Sequence, residues 1–410
     1  MTCWRIEDPG VLLAALSLGA FLLAVHADAG EAGEAAATVA VDADFPGGNS
    51  VLERIEGEAV YLHQDLRDTQ GDWFWWHFRV RGAAGRTLTF HFTKSNVIGV
   101  RGPALSTDGG KAWTWLGKEA VKGSSFRYSF PAEAQEVRFC FAIPYFEANL
   151  RAFLKPYADH PSLKLLPLSR TRKGREAERL AVGKLGGQAD HRVLITCRHH
   201  CCESMASYSA EGLIEAALAD ADDGRWFREH VEMMIIPFVD KDGVEDGDQG
   251  KNRKPHDHNR DYAGESLYPE VKAIREIVPA WSGGKLRIAL DLHCPHIRGP
   301  HNEVIYQVGA ESQAMWEQQC AFGKILESVR TGPLLYHASD NLPFGKGWNT
   351  EKNYGSGKSY GRWAGGLPGV RLVSSIEIPY ANAAGGVVTA ESARAFGRDL
   401  AKAIRQYLEP

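Results

Sequence analysis

Three short clusters in this 410-residue chain carry side chains able to hold a metal ion and to move a proton. The first is the run Arg198-His199-His200-Cys201-Cys202-Glu203. His200 and Glu203 stand three apart, a spacing that lets an imidazole nitrogen and a carboxylate oxygen converge on one ion over a single turn. The second, Asp291-Leu292-His293, closes an apolar run and supplies a third ligand, with Asp291 placed to orient it. Two His and one Glu leave the fourth position of a tetrahedral ion to water, which is the arrangement of catalytic rather than closed structural sites. The third cluster is Ser375-Ile376-Glu377-Ile378-Pro379, a single acid in an otherwise apolar run. An unpaired charge there is costly, so Glu377 needs a partner or a task.

Plainer readings stand beside these. A His-Glu pair at a helix start is commonly a cap or a salt bridge. His199 is an alternative ligand to His200, at a four-residue spacing from Glu203. Cys201, Cys202 and Cys294 adjoin the ligands and offer thiolates, although such cysteines more often pack or pair. His256, Asp257 and His258 would make a second metal cluster, or more simply a polar substrate loop.

The elements that must position these clusters are legible in outline. Apolar runs at 193–196, 233–238 and 286–292 alternate with helical patterns at 204–219 and 268–277. Further strands at 304–308 and 370–378, with helices at 312–329 and 390–408, complete an α/β domain with a mixed sheet flanked by helices. In such sheets, residues just past the strands' carboxyl ends form the ligand site, and the first two clusters lie at such ends. Upstream, alternating runs at 73–80, 87–92, 126–130 and 137–143, punctuated by Asp108-Gly109-Gly110, predict a small antiparallel β-sandwich. Trp73-Phe74-Trp75-Trp76 reads as core of that sandwich in preference to a sugar-binding platform. Residues 156–178, with Pro161 and Pro167, read as a connection or domain-entry segment. The expected organisation is a signal peptide at 1–27, a flexible segment at 28–42, the sandwich at 43–158 and the catalytic domain at 159–410.

In order, His-Cys-Cys-Glu at 200–203, Asn259-Arg260-Asp261-Tyr262, Asp291-Leu292-His293 and the lone Glu377 resemble the motifs of the zinc metallocarboxypeptidase family. The similarity is greatest to the cytosolic-carboxypeptidase-type members, which carry an aromatic-rich sandwich before the catalytic domain. It covers roughly residues 50 to 400, and 236–244 and Gly355-Ser356-Gly357-Lys358 resemble further loops of that family. The resemblance implies one Zn2+ per chain on His200, Glu203 and His293, Glu377 as general base, and Asn259 with Arg260 on the substrate's terminal carboxylate. It implies removal of residues from the carboxyl end of a peptide or cell-wall peptide. Two departures stand out. Cys201 and Cys202 replace the small or basic residues usual between His and Glu, and the family's upstream arginine has no clean counterpart, leaving Arg253 as candidate oxyanion stabiliser. Lys358 is either solvated or reads an acidic side chain in the pocket, and the mobile-loop tyrosine corresponds to Tyr354 or Tyr360. The alternatives are an aspartoacylase-like amidase or deacylase, and a non-catalytic peptide- or cell-wall-binding module.

With 47 Lys and Arg against 51 Asp and Glu, the net charge of -4 provides no broad basic surface for nucleic acid or an anionic membrane. Arg5, the apolar stretch 11–25 and the small residues Ala27 and Ala29 read as a signal peptide, with an uncleaved membrane anchor as the alternative; cleavage gives a secreted or periplasmic protein without stable membrane association. Of seven cysteines, one, Cys3, lies in that signal; the pairing of the other cysteines is open, as is the oligomeric state.

Overall fold

Alternation is cleanest in Thr87–Phe92, where Leu88, Phe90 and Phe92 are buried and the residues between them half-buried. A period of two gives such a strand one inward face, and two five-stranded sheets bury these faces against each other. One sheet runs Ala40–Asp42, His77–Arg81, Glu136–Cys140, Ala104–Ser106, Thr114–Trp115; the other runs Val51–Glu56, Ala59–His63, Thr87–Phe92, Ser125–Ser129, Val121–Lys122. Trp76, Phe78, Phe90, Phe126 and Phe139 fill the space between them, with the Phe90 and Phe126 rings 4.8 Å apart. The expected antiparallel sandwich is present with one departure. Ala59–His63 and Thr87–Phe92 run parallel, because the chain between them crosses to the other sheet as His77–Arg81.

The computed structural model describes residues 38–409 except Ser356, so the expected signal peptide lies outside the described residues. The segment expected to be flexible ends in a strand, since Ala40–Asp42 pairs with His77–Arg81 and Asp42 accepts from Arg79 at 2.8 Å.

The second half is built on a seven-stranded sheet in the order Leu163–Arg170, Glu176–Gly183, Val231–Ile236, His191–Cys197, Leu286–His293, Leu372–Glu377, Tyr306–Val308. The four strands from Val231–Ile236 to Leu372–Glu377 are mutually parallel and the outer ones antiparallel. Helices cover both faces, which is why the parallel strands read as continuous apolar runs. Ser204–Leu218, Asp222–His230, Gln313–Val329 and Ala390–Leu408 pack on one side, in a core continuous with that of the sandwich; Pro269–Ser282 and Tyr360–Ala364 pack on the other. Ser204–Leu218 and Ala390–Leu408 cross so closely that a Cβ at Gly212 would overlap the Arg394 carbonyl, and one at Gly397 the Ser209 carbonyl.

The stretch 156–178, expected to be a connection or a domain-entry segment, is the entry to the second sheet and holds most of a β-hairpin. Leu163–Arg170 pairs antiparallel with Glu176–Gly183, and Pro167 is accommodated because this strand is at the sheet edge and its register shifts between Pro167 and Ser169.

Candidate metal centre

Strand register brings the clusters together. Thr196 lies opposite Asp291, and His293 opposite Glu377, across neighbouring parallel strands. Beyond His191–Cys197 the chain turns sharply through Arg198, whose φ of 63° is left-handed. A non-glycine residue adopts that conformation only where its surroundings hold it, and here the buried guanidinium does so. It donates to the carbonyls of Cys201 and of Tyr145, the latter at 3.0 Å, and to Ser207 Oγ at 3.1 Å. The turn leaves His200 and Glu203 facing His293.

His200 Nδ1 lies 3.0 Å from Glu203 Oε1, and His293 Nδ1 lies 2.8 Å from Glu203 Oε2. The three donor atoms fall within 4.8 Å of one another. Asp291 orients His293 by accepting at 2.6 Å from its Nε2, which fixes Nδ1 toward the cluster, and is itself held by Thr196 Oγ1 at 2.8 Å and His199 Nδ1 at 2.7 Å. His199, Asp291 and His293 also cluster closely enough to bind an ion. We favour the first trio because His199 is fully buried outside the cavity lining, its Nε2 2.7 Å from Tyr262 Oη, whereas His200 and His293 line a cavity of about 760 Å³. Two imidazole nitrogens and one carboxylate oxygen, buried but open to a cavity, are a donor set that suits zinc.

Burial alone would raise Glu203's pKa, but Lys251, His200 and His293 outweigh it and hold the carboxyl well below its ordinary range. Glu377 behaves oppositely: burial, reinforced by Glu203's charge and opposed by His293 and Lys251, pushes it up to about 7. It is a buried acid lining the cavity, with Oε2 left without a hydrogen-bond partner.

Asn259 and Arg260, on the turn His258–Arg260, also line the cavity. Asn259 accepts from the Tyr360 backbone N–H at 3.0 Å and approaches His293 Nε2 at 3.3 Å. Arg260 donates to the Asn353 carbonyl at 2.8 Å and stacks 5.2 Å above the Tyr354 ring. Of the two tyrosines, Tyr354 lines the cavity and Tyr360 is fully buried beneath it.

Two expected site residues are not brought here. Arg253 points into a separate charged cleft, where Asp68, Asp240 and Asp248 take its guanidinium at 3.0, 2.6 and 3.0 Å. Lys358 is exposed; its backbone carbonyl accepts from Tyr262 N, and its side chain is not among the cavity lining. The suggested second metal cluster does not form, because His256 pairs with Asp261 at 2.7 Å while His258 stacks on Tyr268. Cys201 and Cys202 turn away from the ligands, toward the Asp248 carbonyl and Tyr380 Oη, and all six described cysteines are free.

Lys251 is the residue that sequence reasoning missed. Its Nζ lies 2.7 Å from Glu203 Oε1 and 5.1 Å from the Trp73 ring centroid, inside the cavity. In an extended chain Lys251 and Arg253 would share one side. Asn252 breaks that alternation with a left-handed φ of 52°, sending Lys251 to the site and Arg253 away.

The fold that carries these residues is shared with known proteins. A metallo-carboxypeptidase from Burkholderia cenocepacia superposes with a TM-score of 0.74 at 22% identity, over 91% of this chain and 99% of that one. The chain has the metallocarboxypeptidase fold. A Pseudomonas aeruginosa metallo-carboxypeptidase, in complex with (2-guanidinoethylmercapto)succinic acid, has the same fold, with a TM-score of 0.70 at 20% identity over 89% of this chain and 98% of that one. In sequence, the chain is 26% identical to cytosolic carboxypeptidase 2 of Danio rerio over 264 residues, 55% of this chain and 36% of that protein. It is 24% identical to an uncharacterized protein of Zymomonas mobilis over 249 residues, 58% of this chain and 63% of that one. The chain thus spans less than two thirds of these relatives. No family model matches. The resemblance drawn from the ordered motifs is borne out as a fold, sandwich included, since both superpositions extend over about nine-tenths of the chain.

Proposed function

We propose that the protein is an exported, zinc-dependent carboxypeptidase that hydrolyses the last peptide bond of its substrate. The observation that carries this reading is that the His200, Glu203 and His293 donors cluster at a cavity also lined by Glu377, which has a buried carboxylate oxygen without a partner. A bound zinc ion supplies Lewis acidity, polarising a carbonyl and lowering the pKa of water.

The chain's own residues supply the rest. Arg260 and Asn259 take the substrate's terminal carboxylate, which selects for a free carboxyl end and sets the scissile bond at a fixed distance from the ligand trio. Glu377 removes a proton from the attacking water and returns it to the leaving amine. Trp73, Tyr306 and Trp348 wall the cavity with aromatic surface that excludes bulk water. Export rests on the apolar run at 11–25 and its small-residue flank. No described helix is long and apolar enough to cross a membrane.

The test is metal content of the purified protein together with mass-spectrometric analysis of a mixed peptide library, with and without chelator. One zinc per chain and chelator-sensitive loss of carboxyl-terminal residues are expected. Zinc without cleavage would shift the reading to an amidase, a deacylase or a binding module.

A further inference from the structure

When water adds to a peptide carbonyl, the new C–O bond forms as the π pair moves onto the carbonyl oxygen. Glu377 takes the water proton and passes it to the amine as the C–N bond breaks and the carbonyl re-forms. The charge on that oxygen needs a donor beside the reacting carbon. Among the described residues, the cationic side chains lining the cavity are Lys251, Arg260 and Arg362. Arg260 and Arg362 stack on the Tyr354 ring, 5.2 and 4.7 Å from its centroid, and are tied to the Asn353 carbonyl and to Glu351. Lys251 alone of the three contacts the ligand trio, through Glu203.

Its position is set from outside the catalytic sheet. The sandwich loop 65–75 grips the loop 248–253 along its length. Gln249 N and Gly250 N donate to the Asp68 carboxylate at 3.0 and 2.8 Å, Thr69 Oγ1 to the Lys251 carbonyl at 2.6 Å, Gln70 N to the Asn252 carbonyl at 3.2 Å, and Arg253 Nε to Asp68 at 3.0 Å. Trp73, on the same sandwich loop, lies against the ammonium. A lysine braced from both sides in this way has its ammonium delivered to one place, with only 13% of its side chain exposed.

We infer that Lys251 is a catalytic residue of this site, donating a hydrogen bond to the carbonyl oxygen as it becomes negative, in the role for which sequence offered Arg253. The inference rests on the carboxypeptidase reading and adds to it that the sandwich completes the active site by placing Lys251.

The experiment compares the zinc-loaded wild type with Lys251→Met and Lys251→Arg on a peptide that the wild type cleaves. It measures kcat, KM, zinc per chain, and calorimetric affinity for a phosphonate analogue of the same peptide. Lys251→Met should keep its zinc and a KM within about threefold, lose about 10²- to 10³-fold in kcat, and lose phosphonate affinity by a comparable factor. Lys251→Arg should recover part of both. Wild-type kcat in Lys251→Met would overturn the inference, as would a loss that excess zinc restores, for then Lys251 is only the counter-ion of Glu203. A wild type that takes zinc, cleaves no peptide and does not bind the phosphonate would overturn the carboxypeptidase reading itself, and the inference with it.

Discussion

His293 and Glu377 are register partners at the carboxyl ends of two adjacent parallel strands, Leu286–His293 and Leu372–Glu377. The sheet thus places the proposed metal donor and the proposed proton acceptor side by side, but gives them different surroundings. His293 has Asp291 and Glu203 on its two nitrogens, whereas Glu377 keeps a bare oxygen. Replacing each should therefore have separable effects. Glu377→Gln is expected to retain one zinc per chain and lose about 10³-fold or more in kcat, while His293→Ala loses the ion. Elemental analysis and steady-state kinetics decide, and full activity of Glu377→Gln would rule out the general-base role.

Arg260 should act on binding more than on the chemical step. Arg260→Ala is expected to raise KM about 30-fold for peptides with a free carboxyl end, equivalent to a charge-assisted hydrogen-bond pair of about 2 kcal/mol. It should also narrow the preference for those peptides over carboxyl-amidated ones. An unchanged preference would mean that the terminal carboxylate is held elsewhere.

Asp68 links the sandwich to the substrate loop, accepting from Gln249 N, Gly250 N and Arg253. Asp68→Ala leaves Arg253 with Asp240 and Asp248. The expected loss is about 2 kcal/mol in urea denaturation, with kcat falling more than KM because Lys251 loses its brace. A variant of wild-type stability and turnover would show that the clamp is dispensable.

Glu270, in the first turn of Pro269–Ser282, is buried at the charged cleft. Burial, with Asp240 and Asp242 nearby, raises its pKa from 4.5 to about 8. Between those values the folded chain holds a proton that the unfolded chain has released, so stability falls as pH rises through this window. Glu270→Gln removes that dependence. Its Tm should exceed the wild type's by about 2 °C or more near pH 8 and match it near pH 5. A Tm difference that is the same at both pH values would contradict the assignment.

That His200, Glu203 and His293 cluster, and that Glu377 stands alone in an apolar strand, was legible in the chain because local rules govern it, whereas the Asn259-Arg260 pair was marked only by resemblance to a family. A three-residue spacing, a strand's end and an acid in an apolar strand are fixed within a few residues, and hydrophobic periodicity locates the helices and parallel strands in the same way. Local pattern also misled where a neighbour supplied the missing condition. Pro167 suggested a connection until an edge position and a register shift made room for it in a strand. Arg253 and Lys251 lie in one basic run, and no spacing rule separates them. Which of them faces the substrate depends on the left-handed turn at Asn252 and on Asp68, some 180 residues away, taking one guanidinium out of the site. Sequence specified which chemistry the chain can hold. The packing of the sandwich against the substrate loop decided which cation performs it, because charge pairing between distant segments is settled only when both are in place.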